Sequence, residues 1–285
     1  MSAASTLMIA RTGVDRLSPQ NLARLSAFVF DRTGIKMPLT KAVMLEGRLR
    51  RRLRDTACAT LDAYCDHFFS GQADDAETGH LINAVTTNKT DFFREPGHFD
   101  FLVDTVLPAF AATGRRRLRA WSAACSTGAE PYTMAMLLDR FAQANGIDYG
   151  ILATDIDTEV LETARRGIYP AALVEPVPPA LRNRYLTRAL APRDDRVRIV
   201  PALRSAVGFA PLNLMDDHYP VGAPMDVIFC RNVLIYFDRA TQEAVVRRLC
   251  ACLRPGGHLF LGHSESIAGL DLPVRPVSYT VFERN

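Results

Sequence analysis

Two short segments of this 285-residue chain combine residue types suited to holding a charged, ribose-bearing ligand. The first is Ser126-Thr127-Gly128-Ala129-Glu130, which closes a short apolar run. The second is Asp155, which closes the next such run. In a sheet of parallel strands alternating with helices, ligands sit beyond the carboxyl ends of the strands. Gly128 lets the backbone approach a ligand closely, and the acid after the following strand can accept hydrogen bonds from ribose hydroxyls. The turn has one glycine where a pyrophosphate loop uses three, and the P-loop lysine pattern is missing. Glu130 would repel a phosphate but suits an ammonium group. This pattern leaves several nucleotide ligands open. A ligand with a ribose, an amine and no phosphate, as in S-adenosylmethionine, satisfies all of it.

Other reactive residue types point to less. Six cysteines in a chain with no secretory leader pattern argue for reduced thiols. Cys125 and Cys230 lie in apolar runs and read as small buried hydrophobes. Cys250 and Cys252 are two apart, so on a helix they point to different faces. With no paired Cys or His at zinc spacing, no metal is expected. Gly262-His263-Ser264 lacks the second flanking glycine of a hydrolase elbow. His258 and His263 flank a strand and are expected to pack or hydrogen-bond locally, and Trp121 is expected in the core.

The elements that must position these residues fall into two kinds. In the first ninety residues or so, Ser18-Pro19 starts a helix, and Leu22, Leu25, Val29 and Phe30 recur at helical spacing until Thr33-Gly34. A second helix carries Ala42, Leu45, Leu49 and Leu53 on one face; a third spans about Leu61 to Phe69 and a fourth about Thr78 to Val85. From Arg117 strands alternate with helices. Leu118 to Ser122, Gly150 to Thr154, Met225 to Cys230, His258 to Gly262 and Ser278 to Phe282 read as strands. Helices are expected over Pro131 to Phe141, after Asp157 and after Asp238. The fold class is therefore α/β: a small all-helical N-terminal domain, then a doubly wound, Rossmann-like domain. Residues 168–210 are too many for a simple crossover. Alternating apolar positions in Arg196 to Val200 and Ala206 to Phe209 predict a small antiparallel β insertion there. The expected divisions are 1–88 for the helical domain, 89–98 for a linker contributing to the site, and 99–285 for the α/β domain.

Net charge is only +3, so the chain as a whole is no polyanion binder. One segment departs from this balance: Lys41, Arg48, Arg50, Arg51, Arg52 and Arg54 crowd together against few acids, and such a potential steers acidic partners. Lys41, Arg48 and Arg52, with Arg51 adjoining, form a stripe beside the apolar face. No apolar run reaches the length of a membrane span, and a cytoplasmic, monomeric protein without direct membrane insertion is expected.

Several longer blocks extend this reading. They are Thr86-Thr87-Asn88-Lys89-Thr90-Asp91-Phe92-Phe93-Arg94-Glu95, Trp121 through Tyr132, Ala153-Thr154-Asp155-Ile156-Asp157, Leu212-Asn213-Leu214, Phe229 through Phe237 and Gly262-His263-Ser264-Glu265-Ser266. In content and order they resemble the CheR-type chemotaxis receptor methyltransferases, over nearly the whole chain. The resemblance implies S-adenosylmethionine as cofactor, S-adenosylhomocysteine as product, and glutamate side chains of methyl-accepting chemotaxis receptors as acceptors. It implies that Asn88, Thr90 and Arg94 contact the cofactor, Glu130 its amino group and Asp155 its ribose. Asn213 and Leu214 would flank the adenine, and Arg231 and Asn232 would close the methionyl end. Arg94 and Tyr236 would lie nearest the transferred methyl and are the implied catalytic residues. The family usually has Glu directly after the loop glycine; this chain has Ala129 there and keeps Glu130.

The chemistry is consistent with a carboxylate acceptor. A glutamate, with an ordinary pKa near about 4.3, is already an anion at neutral pH and needs neither base nor metal. Receptor methylation sites lie on Glu-rich helices, so the resemblance favours docking of the cytoplasmic helical region of receptors on Lys41, Arg48, Arg51 and Arg52. An RNA methyltransferase is the rival reading of this basic helix, but no aromatics for base stacking are interleaved with the arginines, and no nucleic-acid partner is expected. A second rival is a cofactor-binding signalling adaptor without activity, against which the retained Asn88, Arg94, Glu130, Asp155 and Tyr236 argue. Some family members bind a receptor C-terminal tail peptide on the insertion by strand addition. Here the loop Arg188 to Arg196 has Ala189, Ala191 and Pro192 where a tight turn favours glycine.

Overall fold

Helix starts follow local capping chemistry in the computed structural model, which describes residues 15–72, 74–188 and 195–285. The Ser18 hydroxyl accepts from the Asn21 N–H at 3.3 Å, directly ahead of α1 (Pro19–Thr33). Thr60 accepts from the Ala63 N–H at 3.1 Å and opens α3 (Leu61–His67). Such caps satisfy N–H groups that lack a partner in the first helical turn.

The chain divides into two compact units. The first comprises the described residues up to Phe28 and residues Met37–Val85, the second Val29–Lys36 and Thr86–Asn285. In the first unit, α2 (Ala42–Asp55) and α4 (Asp75–Val85) complete the helical set. Leu25, Leu45, Leu49, Leu61, Tyr64 and Leu81 form its interior, and Leu45 and Leu49 face inward together because residues four apart share a helix face. The third helix ends two residues before the expected Phe69, in a π-helical turn (Phe68–Gln72) where Gly71 takes φ +79°. The fourth starts three residues earlier than Thr78, because the Asp74 carboxylate accepts the Glu77 N–H at 2.8 Å.

In the second unit, α5 (Pro96–Phe101) and α6 (Leu107–Ala112) precede β1 (Arg117–Ala123). Then follow α7 (Ala129–Asn145), β2 (Asp148–Asp155), α8 (Thr158–Arg166), β3 (Ile168–Pro170), α9 (Pro179–Tyr185), β4 (Leu186–Arg188), β5 (Arg196–Ile199), α10 (Pro201–Ala206) and β6 (Val207–Pro211). The chain ends with β7 (Met225–Cys230), α11 (Arg239–Cys252), β8 (Leu253–Leu261), β9 (Val274–Ser278) and β10 (Val281–Arg284). The main sheet has the order β6-β2-β1-β7-β8-β10-β9. Its first five strands run parallel, and β10 is antiparallel to both neighbours. Order therefore reverses at β1, between β2 and β7, which is where a doubly wound sheet opens its ligand crevice.

Alternation along the strands sorts the core into two faces. Leu118, Ala120, Ile151, Ala153 and Phe229 belong with Met134 and Leu138 of α7. Trp121, Ala123, Ile228, Leu259 and Leu261 belong with Val245, Val246 and Leu249 of α11. Trp121 is fully buried, and its indole N–H donates to the Thr154 hydroxyl at 2.9 Å. The small antiparallel sheet exists, in the order β3-β5-β4.

Two strand assignments need correction. The alternating run at Ala206 to Phe209 does not belong to the small sheet, because β6 pairs in parallel with β2 as an edge of the main sheet. An amphipathic run shows period two in either setting, so alternation could not choose between them. The expected strand Ser278 to Phe282 is instead a hairpin turn: β9 ends at Ser278, Thr280 takes φ +51°, and β10 begins at Val281. The loop residues Ala189, Ala191 and Pro192 lie outside the described residues. No helix among the described residues is long and apolar enough to cross a membrane.

Candidate functional site

The turn after β1 is built from left-handed residues: Ala124 (φ +60°), Ser126 (φ +51°) and Gly128 (φ +92°). At Gly128 a Cβ would lie 2.8 Å from the Ala164 Cβ and 2.9 Å from the Tyr169 hydroxyl. The glycine is thus demanded by both conformation and close packing against α8. Asp155, at the end of β2, holds this turn: its Oδ2 accepts the Ser126 N–H at 2.8 Å and its Oδ1 the Asp157 N–H at 3.0 Å. Burial pushes the Asp155 carboxyl up to about 6, against the pull of these N–H groups. Asn88 is joined to the same corner. Its Nδ2 donates to Asp157 Oδ2 at 2.7 Å, and its carbonyl accepts from the Ser126 hydroxyl at 2.9 Å. Asp157 also caps α8 through Oδ1, accepting from Glu159 and Val160. Thr90 lies half-buried two residues past Asn88.

A second corner is organised by Arg231, directly after β7, whose side chain is 1 % exposed. Its Nη2 pairs with Glu95 Oε2 at 2.8 Å and its Nη1 with Glu130 Oε2 at 3.2 Å. Nη2 also donates to the Arg94 carbonyl, and the guanidinium lies 5.4 Å from the Phe99 ring centroid. Glu130, in the first turn of α7, accepts from the Ser122 hydroxyl at 2.7 Å. Desolvation raises the Glu130 carboxyl above its ordinary value, with Arg231 opposing. Glu95 goes the other way. Burial would raise it, but Arg231 and Asn232 bring it down to about 2. Asn232 sits at φ +59° and donates from Nδ2 to Glu95 Oε1 at 3.1 Å.

The remaining expected residues are placed less uniformly. Arg94 Nη1 donates to the Lys89 carbonyl at 2.9 Å. Tyr236 ends a one-turn 3₁₀ helix (Leu234–Tyr236) and its carbonyl accepts from the Lys36 N–H at 3.1 Å. Asn213 Nδ2 is turned to the Arg32 carbonyl at 2.6 Å, while Leu214 is buried in the α11-side core. Sequence reasoning passed over Glu95, Ser122, Asp157 and Glu265. All four stand inside recognised blocks, but the contacts that give them their place in the site include partners 8 to 137 positions away in the chain, which no local pattern announces.

Glu95, His98 and His263 place donor atoms within 4.8 Å of one another. The Arg231 guanidinium already occupies the cationic position beside the same Glu95 oxygen, which also accepts the His263 backbone N–H at 3.3 Å, while His98 Nε2 lies 2.9 Å from the Thr280 hydroxyl. Burial, then Arg231, hold the His98 imidazole down to about 4. A cavity of about 340 Å³ lies at the opposite, amino ends of β1 and β2, lined by Arg117, Arg119, Gly150 and Val221, and contains none of the site residues.

The donor set fits S-adenosylmethionine. Glu95 and Glu130 share the single positive charge of Arg231, so this corner carries surplus negative charge that an ammonium group or sulfonium would balance. Asp155 adds a buried carboxylate at the end of the neighbouring strand, a group of the kind that accepts from ribose hydroxyls in such sheets.

Comparison with known proteins agrees with this geometry. Residues 88–282 match the CheR methyltransferase SAM-binding domain, and residues 20–86 match the CheR methyltransferase all-alpha domain. The chain is 41% identical over 271 residues to the chemotaxis protein methyltransferase of Escherichia coli (strain K12), covering 94% of this chain and 91% of that one. It is 42% identical over 258 residues to the chemotaxis protein methyltransferase of Salmonella typhimurium, covering 89% and 86%. With chemotaxis protein methyltransferase 2 of Pseudomonas aeruginosa it shares 40% identity over 250 residues, 88% of each chain. A helical unit followed by a sheet with a charged crevice at its switch point, matched along nearly its full length, makes this chain a member of the CheR methyltransferase family, with an S-adenosylmethionine-binding domain at residues 88–282.

Proposed function

We propose that this protein transfers the methyl group of S-adenosylmethionine to glutamate side chains of chemotaxis receptors, forming methyl esters. The observation that carries the acceptor class is the contrast between two arginines. Both terminal nitrogens of Arg231 are paired with carboxylates, of Glu95 and Glu130, whereas the contact that holds the Arg94 guanidinium is the neutral Lys89 carbonyl. Its remaining donors match a carboxylate. The cofactor supplies a methyl bonded to a sulfonium, and the acceptor oxygen bonds to that carbon as the C–S bond breaks, with no proton to remove. Arg94 would orient the acceptor, Tyr236 would border it, and the buried corner would exclude water. Glu130, Asp155, Asn88, Thr90, Asn213, Leu214, Arg231 and Asn232 remain the proposed cofactor residues, with the Arg231–Glu130 pair presenting the carboxylate to the amino group.

For the receptor, the proposal places docking on Lys41, Arg48 and Arg51. Arg52 is a poorer candidate. Its Nε donates to Glu77 Oε1 at 3.1 Å, its Nη1 pairs with Asp55 at 2.7 Å, and its side chain is 12 % exposed. Its charge is neutralised within the helical unit. Arg51 is exposed, and Arg48 donates to the Val85 carbonyl at 2.9 Å. For a receptor tail, the proposal places strand addition on β3 or β4, the edge strands of the small sheet.

Incubation with methyl-labelled cofactor, receptor cytoplasmic fragments and RNA tests the reading. Base-labile label on receptor glutamates is expected. Label on RNA, or cofactor binding without transfer, overturns it.

A further inference from the structure

Glu265 is 5 % exposed and lies four residues after β8, in a segment that the hydrolase comparison discounts. Its carboxylate is gripped by backbone: Oε1 accepts the Val233 and Leu234 N–H groups at 2.8 and 2.7 Å, and Oε2 accepts those of Asn232 and Gly262 at 3.0 and 2.5 Å. Three successive N–H groups converge on one anion because Asn232 is left-handed while Val233 is not, at φ −122° and ψ −35°. Without an acceptor these donors would be left unpaired inside the protein, and the turn would have to open. Gly262 closes the arrangement from below: a Cβ there would lie 2.5 Å from Asn232 Nδ2 and 2.9 Å from Glu265 Oε2.

The turn so fixed begins beside Arg231, carries Asn232 against Glu95, and leads directly into the 3₁₀ turn that ends at Tyr236. We propose that Glu265 is a positioning residue for methyl transfer, setting the backbone of residues 231–236 and thereby the aim of Asn232 and Tyr236 without touching cofactor or acceptor. Glutamate is suited to this because two oxygens must serve four donors. An amide would present one oxygen and turn N–H groups toward N–H groups.

Glu265→Gln tests this. Misplacing the turn by about 1 Å is expected to lower kcat on the order of 10²-fold, with a smaller loss of affinity for S-adenosylmethionine, to which Asn232 is one proposed contact among several. Glu265→Asp, which keeps both oxygens on a shorter stem, should recover part of the loss. Hydrogen exchange should show residues 232–234 and 262 losing protection in Glu265→Gln while β1 and β2 keep theirs. Gly262→Ala presses on the same turn with the carboxylate in place and should reproduce the kcat-selective loss; it carries the test if Glu265→Gln fails to fold. An unchanged kcat per folded molecule, or kcat and cofactor affinity falling in parallel, overturns the proposal. The kinetic arm rests on the receptor reading above and the exchange arm does not. Absence of receptor labelling by the wild type, with the exchange change present, would therefore fault the substrate and leave the clamp standing.

Discussion

Each unit of this protein contains an arginine facing two carboxylates, and the two sites are built to opposite ends. In the helical unit Arg52 meets both oxygens of Glu77, and the Tyr64 hydroxyl donates to Glu77 at 2.7 Å. Asp55, half exposed, takes the third contact. In the α/β unit Arg231 is more deeply buried and splits its fork, giving one nitrogen to Glu95 and another to Glu130. The first arrangement is an ion pair between helices α2 and α4 whose second carboxylate, Asp55, is half exposed and left to solvent. The second leaves two desolvated anions on one cation at the carboxyl ends of strands. Buried charge in itself therefore says little. The unbalanced set, at the place where the sheet order reverses, is the one suited to a cationic ligand.

Removing each arginine is the most direct way to break this comparison. Arg231→Met leaves Glu95 and Glu130 facing each other with no cation, which is expected to cost about 3–5 kcal/mol of stability and to abolish methyl transfer. Urea unfolding with and without cofactor measures both effects, and a fully active, equally stable variant would contradict the assignment. Arg52→Met, at a site partly open to water, is expected to cost a smaller amount, about 1–3 kcal/mol, and to leave cofactor affinity unaltered. Calorimetric titration would expose an error if affinity fell along with stability.

The smallest effect sharpens the contrast by pH. Glu95, held down to about 2, stays ionised through the neutral and mildly acid range, so its pair with Arg231 persists. Asp155, raised to about 6, does not stay ionised. Because its folded pKa lies above the unfolded value of about 3.9, unliganded stability falls as pH rises from about 4 to about 6. With the proposed ribose contact at Asp155, cofactor affinity moves the other way, since hydroxyls donate to the ionised form. Between about pH 7 and pH 5 affinity should fall roughly tenfold, and Asp155→Asn should be weak and flat over that range. A slope that survives in Asp155→Asn would assign the titration elsewhere.

The legibility of the site divides along the same line. Gly128, Glu130 and Asp155 were readable because each sits at a fixed offset from a short apolar run, where strand ends and helix starts announce themselves. Arg231 and Asn232 came only through resemblance. Glu95 and Glu265 were given no role, since most of their partners are 31 to 168 positions away in the chain. The pairing of Arg52 was hidden for a related reason: a basic stripe on one helix cannot reveal that Glu77, on another, pairs with one of its members.

Local chemistry written in the sequence determined the helical first unit, the alternating strands and helices of the second, the helix caps at Thr60, Asp157 and Asp238, and the glycine turn with its two acids. These depend on neighbours within a few residues, where period and capping act. Tertiary structure alone decided that β6 joins the main sheet, that Ser278 to Phe282 turns back as a hairpin, and that one buried guanidinium is divided between Glu95 and Glu130. Pairing of strands and charges distant in the chain depends on which surfaces meet in space, and a pattern of period two or a lone charge is compatible with more than one partner.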